Sequence, residues 1–297
     1  MANVRGITFR FRGKYLFSIQ PSTALLFIFL LMLVVFTSLP LVYLVVTAFK
    51  PIDELYLYPP TFFTRRPTFE NFKDLLTSLQ GSEVPFIRYF FNSFFTTITS
   101  VFLSLVICTL GAYGLVKQRP RGANIIFAFI LAALMFPGTV TAIPNYIIIK
   151  ELGMLDSYWA LIIPKVAVAF NFFLMKQFME QIPDAYIEAA RIDGASEVYI
   201  YWKIIMPMMK PAWATLIVFS FISSWNDYSS SLMYLTKPEL KTLPLAIQLI
   251  SGGTGAAALT TAGAVAAASF VMTLPVIIVY LIMQGQVLTT MAHSGIK

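Results

Sequence analysis

An all-α membrane protein with six transmembrane helices is the fold class this sequence predicts, and three observations predict it. Of the 297 residues, 58% are hydrophobic and 12% charged, against roughly 45–50% and 25% in an ordinary soluble domain. The 21 basic and 14 acidic side chains are too few to solvate a soluble globule of this length. Charge-free intervals also recur: 35 residues between Lys14 and Lys50, 28 between Arg88 and Lys117, and 28 between Arg121 and Lys150. A hydrocarbon core about 30 Å thick takes only about 20 apolar residues to cross.

Taken in order, the helices are expected near 22–48, 89–116, 124–149, 157–175, 211–235 and 263–287, forming a transmembrane domain over 22–287. The first is too long for a signal-peptide core and lacks a small-x-small cleavage site after it, so it is expected to be retained. Segment 1–21 carries Arg5, Arg10, Arg12 and Lys14, and Lys117, Arg119 and Arg121 separate helices two and three, with no acid in either place. By the positive-inside rule both belong in the cytoplasm. The 51–88 segment then faces outward, with five basic residues against five acidic ones from Lys50 to Arg88. So does the 236–262 connection, whose SGGTG piece (251–255) reads as a loop. Six crossings put both termini inside, including the short tail 288–297, and make 176–210 the longest polar stretch on that side.

That cytoplasmic connection, IPDAYIEAARIDGASEVYIYWKIIMP, reads as two short helices meeting at a glycine. Pro183 and Asp184 suit a helix start, Gly194 can end the helix in the left-handed conformation, and Ser196 can cap a second helix running to Pro207. Two readings stand at this point. One is a compact knob with a small-residue face that fits a groove on another protein. The other is an amphipathic pair lying on lipid headgroups, against which five acids and four bases between Lys176 and Lys210 argue.

The residues Glu188, Ala189, Ala190, Gly194, Ile204 and Pro207 fall at the spacing of a signature carried by permease subunits of bacterial ABC importers, with Met206 in place of its leucine. The sequence resembles the carbohydrate branch of that family, in particular the smaller maltose-type permease. The likeness runs through FKPIDELYLYPP (49–60), NSFFTTITS (92–100), QIPDAYIEAARIDGAS (181–196), SSWNDY (223–228), KTLPLAIQ (241–248) and the tail AHSGIK. The resemblance implies the type I ABC importer permease fold in a bacterial cytoplasmic membrane, with a cytoplasmic coupling helix that docks into an ATP-binding subunit. It implies a second, distinct permease, two ATP-binding subunits that hold ATP and magnesium, an extracellular solute-binding protein and a sugar cargo, with oligosaccharide favoured. The coupling role carries over to Glu188, Ala189, Ala190, Arg191, Asp193, Gly194 and Pro207 within the 183–207 loop, with Glu188 as partner to a basic group on the ATPase. His293, in the tail, is either a further contact to that subunit or solvated.

Inside the bilayer, Lys165 on helix four and Asp227 on helix five lie at matching depth, about 12 Å below the outer surface at 1.5 Å per residue. They either pair or jointly line a polar cavity, because a charge facing lipid costs about 3 kcal/mol or more. Alternatively Lys165 snorkels and Asp227 is a helix-end residue. Asn171, Phe172, Trp225, Asn226 and Tyr228 are expected on a sugar translocation path, since such sites present aromatic faces with amides and hydroxyls. Pro137, Gly138 and Pro144 are expected to bend helix three.

Several function classes are disfavoured. The net charge of +7 sits beside apolar stretches, so it is not read as nucleic-acid binding. No Gly-x-x-x-x-Gly-Lys-Ser/Thr motif is present, so hydrolysis of ATP falls to another polypeptide. With one histidine and one cysteine, Cys108, the chain offers no metal-ligand or Ser/His/Asp cluster and reads as a transport subunit, not an enzyme and without a cofactor of its own. An ion-coupled secondary transporter would call for midplane carboxylates and inverted repeats, and only Asp227 answers. A permease for a non-sugar solute is the other alternative.

Overall fold

The computed structural model describes residues 7–11, 14–19, 21–59, 61–78, 84–251 and 256–294. The described residues begin with an antiparallel hairpin of β1 (Ile7–Phe11) and β2 (Lys14–Ile19), in which Ile7 pairs with Ile19 and Phe9 with Phe17 in register. Everything after it in the described residues is helical or connecting. α1 (Pro21–Ala48) is apolar on every side and buries only Ala48. A helix of that kind needs an apolar solvent, and in a single chain that solvent is lipid. α2 (Ile52–Leu55) and α3 (Glu70–Ser78) follow, then α4 (Phe86–Val116), α5 (Ala123–Leu134), α6 (Gly138–Glu151), α7 (Tyr158–Val166) and α8 (Ala169–Gln181). The connection after α8 holds α9 (Ala185–Ile192), α10 (Glu197–Tyr199), a π-helical stretch Ile200–Ile205 and α11 (Met206–Met208). α12 (Lys210–Trp225), α13 (Ser229–Tyr234), a 3₁₀ turn Pro238–Leu240, α14 (Leu243–Ser251) and α15 (Ala256–Ser294) complete the chain.

Among the described residues, four stretches are long and apolar enough to cross a membrane unaided: Pro21–Ala48, Phe86–Val116, Tyr158–Gln181 and Ala262–Val287. Two bent pairs, α5 with α6 at 110° and Glu197–Met208 with α12 at 77°, raise the number to the expected six if each pair counts as one span. Helix three is therefore not one bent rod over 124–149 but two helices. The break falls at Pro137, whose extended backbone (ψ 145°) starts α6, whereas Pro144 lies inside α6. Helix five differs as well. It stops at Trp225, so Asn226, Asp227 and Tyr228 lie in a break before α13 and not on a continuous helix to 235. Helix four is interrupted at Ala167 and Val168, and the Cys108 thiol donates to the carbonyl of Val166 at 3.6 Å across that gap. The last helix continues to Ser294, past the expected start of the tail at 288. The side chain of His293 and residues 252–255 of SGGTG lie outside the described residues.

α4 is the hub, packed against α7, α8, α12 and α14. Its inner face repeats every fourth residue as Asn92, Thr96, Ser100, Ser104, Cys108 and Ala112, all buried. A spacing of four keeps small side chains on one helix face, and small residues let neighbouring backbones approach closely inside a bilayer. One apolar core, at the end of the bundle that carries Gly194, gathers Met175, Met179, Ile187, Ile200, Ile205 and Met209. A second, toward the opposite end, joins Trp225 and Phe221 to Leu243, Ala264 and Ala267. At that opposite end Asn92 ties down the 236–243 turn. Its amide donates to the carbonyls of Glu239 and Lys241, both at 2.8 Å, and its carbonyl accepts from Tyr158 at 2.7 Å. Asp156 holds the same turn by accepting from the backbone N–H groups of Thr236 (2.6 Å) and Lys237 (3.0 Å). The Thr236 hydroxyl and these N–H groups keep its carboxyl below the usual carboxylate range.

Candidate functional site

The first site is the elbow between α9 and α10. α9 ends in a left-handed glycine, Gly194, at φ +82°. The N–H of Gly194 donates to Arg191 O at 3.0 Å, and that of Ala195 to Ala190 O at 2.9 Å. This pair of bonds is a Schellman motif, which satisfies carbonyls the helix end would leave unpaired. It explains why an alanine and a glycine are needed four residues apart. Ala190 is buried and Ala195 packs on the neighbouring apolar core, and the turn brings their backbones together. Ser196 caps the following helix by accepting from Tyr199 N at 3.3 Å. The second helix is not regular α as expected. Its middle, Ile200–Ile205, is π-wound, with Pro207 in the last short turn before the bend into α12.

The elbow is fastened to the end of α4 at both sides. On one side Asp184 accepts from Lys117 Nζ at 2.7 Å and Arg119 Nη2 at 3.0 Å. The Lys117 bond, foremost, holds the Asp184 carboxyl below the usual carboxylate range. Asp184 stands at the start of α9 as expected, and its side chain is turned to these two cations without capping that helix. On the other side Glu197 accepts from Arg191 (2.8 Å), Tyr113 (2.5 Å) and Gln118 (2.8 Å). Its carboxyl is likewise lowered, first by Arg191 and then by Tyr113. Between the two clasps Glu188, Ala189, Ile192, Asp193 and Gly194 are exposed. Among the described residues neither Glu188 nor Asp193 has a side-chain partner.

The second site lies midway along α4. Lys165 Nζ stands 2.8 Å from Asp227 Oδ2, with 21% and 18% of the two side chains exposed. Beside them is a cavity of about 240 Å³ whose wall includes Lys165, Asn171, Ser100, Ser220, Ser223 and Ser224. Asn171 is fixed by donating to Ser104 Oγ at 3.0 Å and Ser220 Oγ at 2.9 Å. The rings of Phe170 and Phe219, edge to face at 5.9 Å, complete the aromatic part of the wall. The other expected path residues lie elsewhere. Phe172 packs on the α4–α8 contact, against Gly111. Trp225 is buried between Phe90 and Phe221 and donates to Met272 O at 2.8 Å. Asn226 and Tyr228 are exposed in the break after α12.

Sequence reasoning missed Tyr113, Asp184 and Glu197 as fasteners and Ser100, Ser220, Ser223 and Ser224 as cavity wall. The serines carried a signal in their spacing of three and four on two helices. The fasteners carried none, because Glu197 lies 84 residues from Tyr113.

Comparison with known proteins matches residues 109–288 to the model of a family described as the inner membrane component of binding-protein-dependent transport systems. Protein LplC of Bacillus subtilis (strain 168) is 31% identical over 72% of this chain and 70% of its own length. The polygalacturonan/rhamnogalacturonan transport system permease protein YtcP of the same organism is 30% identical over 77% of this chain and 79% of its own. A solved chain from a bacterial ABC transporter involved in the import of the acidic polysaccharide alginate superposes with a TM-score of 0.77. It is 26% identical and covers 90% of this chain and 98% of that one. With the family model covering more than half its length, and with the apolar spans and Gly194 elbow in place, the chain belongs to the family of inner membrane components of binding-protein-dependent transport systems.

Proposed function

We propose that this chain is a permease subunit of an ATP-driven, binding-protein-dependent importer of sugars, with oligosaccharides the favoured cargo. The observation that carries the reading is the elbow: an exposed knob whose Glu188 and Asp193 have no side-chain partner among the described residues, pinned at both sides to the helix that walls the cavity. Glu188 and Asp193 await basic groups on an ATP-binding subunit, and Ala189 permits close approach. The elbow faces the cytoplasm, as the basic residues at 117–121 beside it favour, and both termini share that side. The 51–88 segment and the turn held by Asn92 and Asp156 face the solute-binding protein.

A second permease and two ATP-binding subunits complete the assembly, and ATP and magnesium reside on the latter. Closure of the ATP-binding subunits carries the elbow with it. Through Asp184 and Glu197 the movement enters α4, and the helices open outward to accept cargo. Lys165, Asn171 and the serines around them line the path. The cargo class is supported by the sugar transport named for YtcP and the alginate importer. The test is charge reversal. In proteoliposomes containing the whole transporter, Glu188→Lys is expected to cut uptake at least about tenfold, as expected for loss of a charge-assisted bond. Assembly, followed by co-purification, should be retained at low salt. Full uptake in that variant would overturn the reading.

A further inference from the structure

The ion pair beside the cavity is one-sided. Lys165 is part of the cavity wall, whereas Asp227 is not, and no carboxylate is among the residues of that wall. The balancing anion is therefore not part of the wall that the cation joins. Asp227 is also held independently, since its Oδ1 accepts from the backbone N–H of Ser230 at 3.1 Å. An ammonium has three N–H donors, and among the described residues Lys165 directs one of them to a partner, Asp227 Oδ2. The rest of the wall offers hydroxyls, an amide and two phenyl rings, and the volume of about 240 Å³ falls below the roughly 300–1,000 Å³ of drug-sized pockets.

We propose that this cavity is a subsite for a single sugar ring bearing a carboxylate or an equivalent oxyanion, with Lys165 as its charge receptor. The proposal rests on the sugar-importer reading above and names the substrate class at that same site. In the empty state Asp227 neutralises the ammonium. When an acidic ring enters, the two remaining N–H donors turn to the cargo's oxyanion, while Ser230 continues to hold Asp227. The serines and Asn171 take the ring hydroxyls, and Phe170 and Phe219 cover its C–H face. A neutral ring makes the same polar and apolar contacts but lacks the charge-assisted bond.

The test places a thiol on the wall. In the intact detergent-solubilised transporter, with Cys108→Ser to remove the native thiol, Ser223→Cys is modified by a small neutral thiol reagent in the presence of glucuronate or glucose. The two sugars differ only in the group at carbon six. Glucuronate is expected to protect the thiol at least about tenfold more effectively than glucose. That preference should vanish in the charge-balanced Lys165→Gln/Asp227→Asn variant and persist in Asp227→Asn alone, with thermal unfolding confirming that each variant is folded. Equal protection by the two sugars, or a preference that survives loss of Lys165, overturns the proposal, as does protection by neither. The path reading fails separately: if the fully modified thiol leaves binding-protein-stimulated ATP hydrolysis unchanged, the cavity is off the path.

Discussion

Replacing Gly194 by asparagine, alanine and valine tests the elbow by backbone geometry alone. A Cβ at Gly194 would meet no atom within 4 Å, so no steric clash enters the comparison. What remains is φ +82°, a conformation that raises an L-residue by roughly 1–2 kcal/mol, less for asparagine, whose short polar side chain bonds locally. A β-branched residue is strained further there. The expected order of elbow stability is Gly, Asn, Ala, Val. For alanine, 1–2 kcal/mol corresponds to a factor of roughly 5–30 in the closed fraction. The amides of Gly194 and Ala195, which close the turn onto Arg191 O and Ala190 O, report that fraction directly by hydrogen exchange. Their protection should fall about 5–30-fold in Gly194→Ala and less in Gly194→Asn, and solute moved per ATP hydrolysed should fall in the same order. Valine exchanging as slowly as glycine would refute the argument, as would asparagine behaving worse than alanine.

Two further outcomes are expected. A Cβ at Gly111 would lie 2.7 Å from Cε2 of Phe172, so Gly111→Ala should destabilise the protein by about 1–3 kcal/mol through overpacking. Phe172→Leu should restore the melting temperature in the double variant, and absence of that rescue would show the two residues are not in contact. The second outcome concerns pH. Because Asp184 has its folded pKa lowered by Lys117, its clasp contributes stability that is fully present above the ordinary carboxylate pKa and is lost as pH falls through the depressed value. The melting-temperature difference between the native protein and Asp184→Asn should therefore be constant from about pH 8 to 5 and shrink only below about pH 4. A difference that changes between pH 8 and 6 would contradict this assignment.

Gly194 was legible because a glycine after an alanine-rich helix start has one common use, and φ +82° is that use. The spans were legible because charge-free length is a one-dimensional property of the chain. The break at Pro137 was legible from its proline, but those at Ala167 and Asn226 were not, since a helix interrupted there is just as apolar in aggregate as a continuous one. The stripe from Asn92 to Ala112 was in principle readable, but counting charges treats serine and leucine alike. The same counting passed over the hairpin, where Ile7, Phe9 and Phe11 alternate with Thr8 and Arg10, the period of a strand. The ties of Asp184 and Glu197 to α4 depend on packing between segments distant in sequence, which local pattern does not contain.

α4 gives these separate features one mechanical frame. Its 31 residues span about 46 Å at 1.5 Å per residue, and no proline interrupts it. Tyr113 and the residues just past its end hold both sides of the elbow. Midway along it, Ser100 is part of the cavity wall and Ser104 accepts from Asn171. Asn92, two turns from the other end, grips the 236–243 turn. On the proposed coupling, a displacement at the elbow would reach α4 through two charged clasps, and a continuous helix packed against its neighbours would move as a body instead of bending locally. The cavity and the distant turn would then respond together. Cutting both clasps, with Asp184→Asn and Glu197→Gln, should leave the bundle folded and the elbow docked while separating ATP hydrolysis from solute movement. Cutting the grip of Asn92 should impair response to the binding protein and leave basal hydrolysis intact. If both changes produced the same defect, α4 would not be the link.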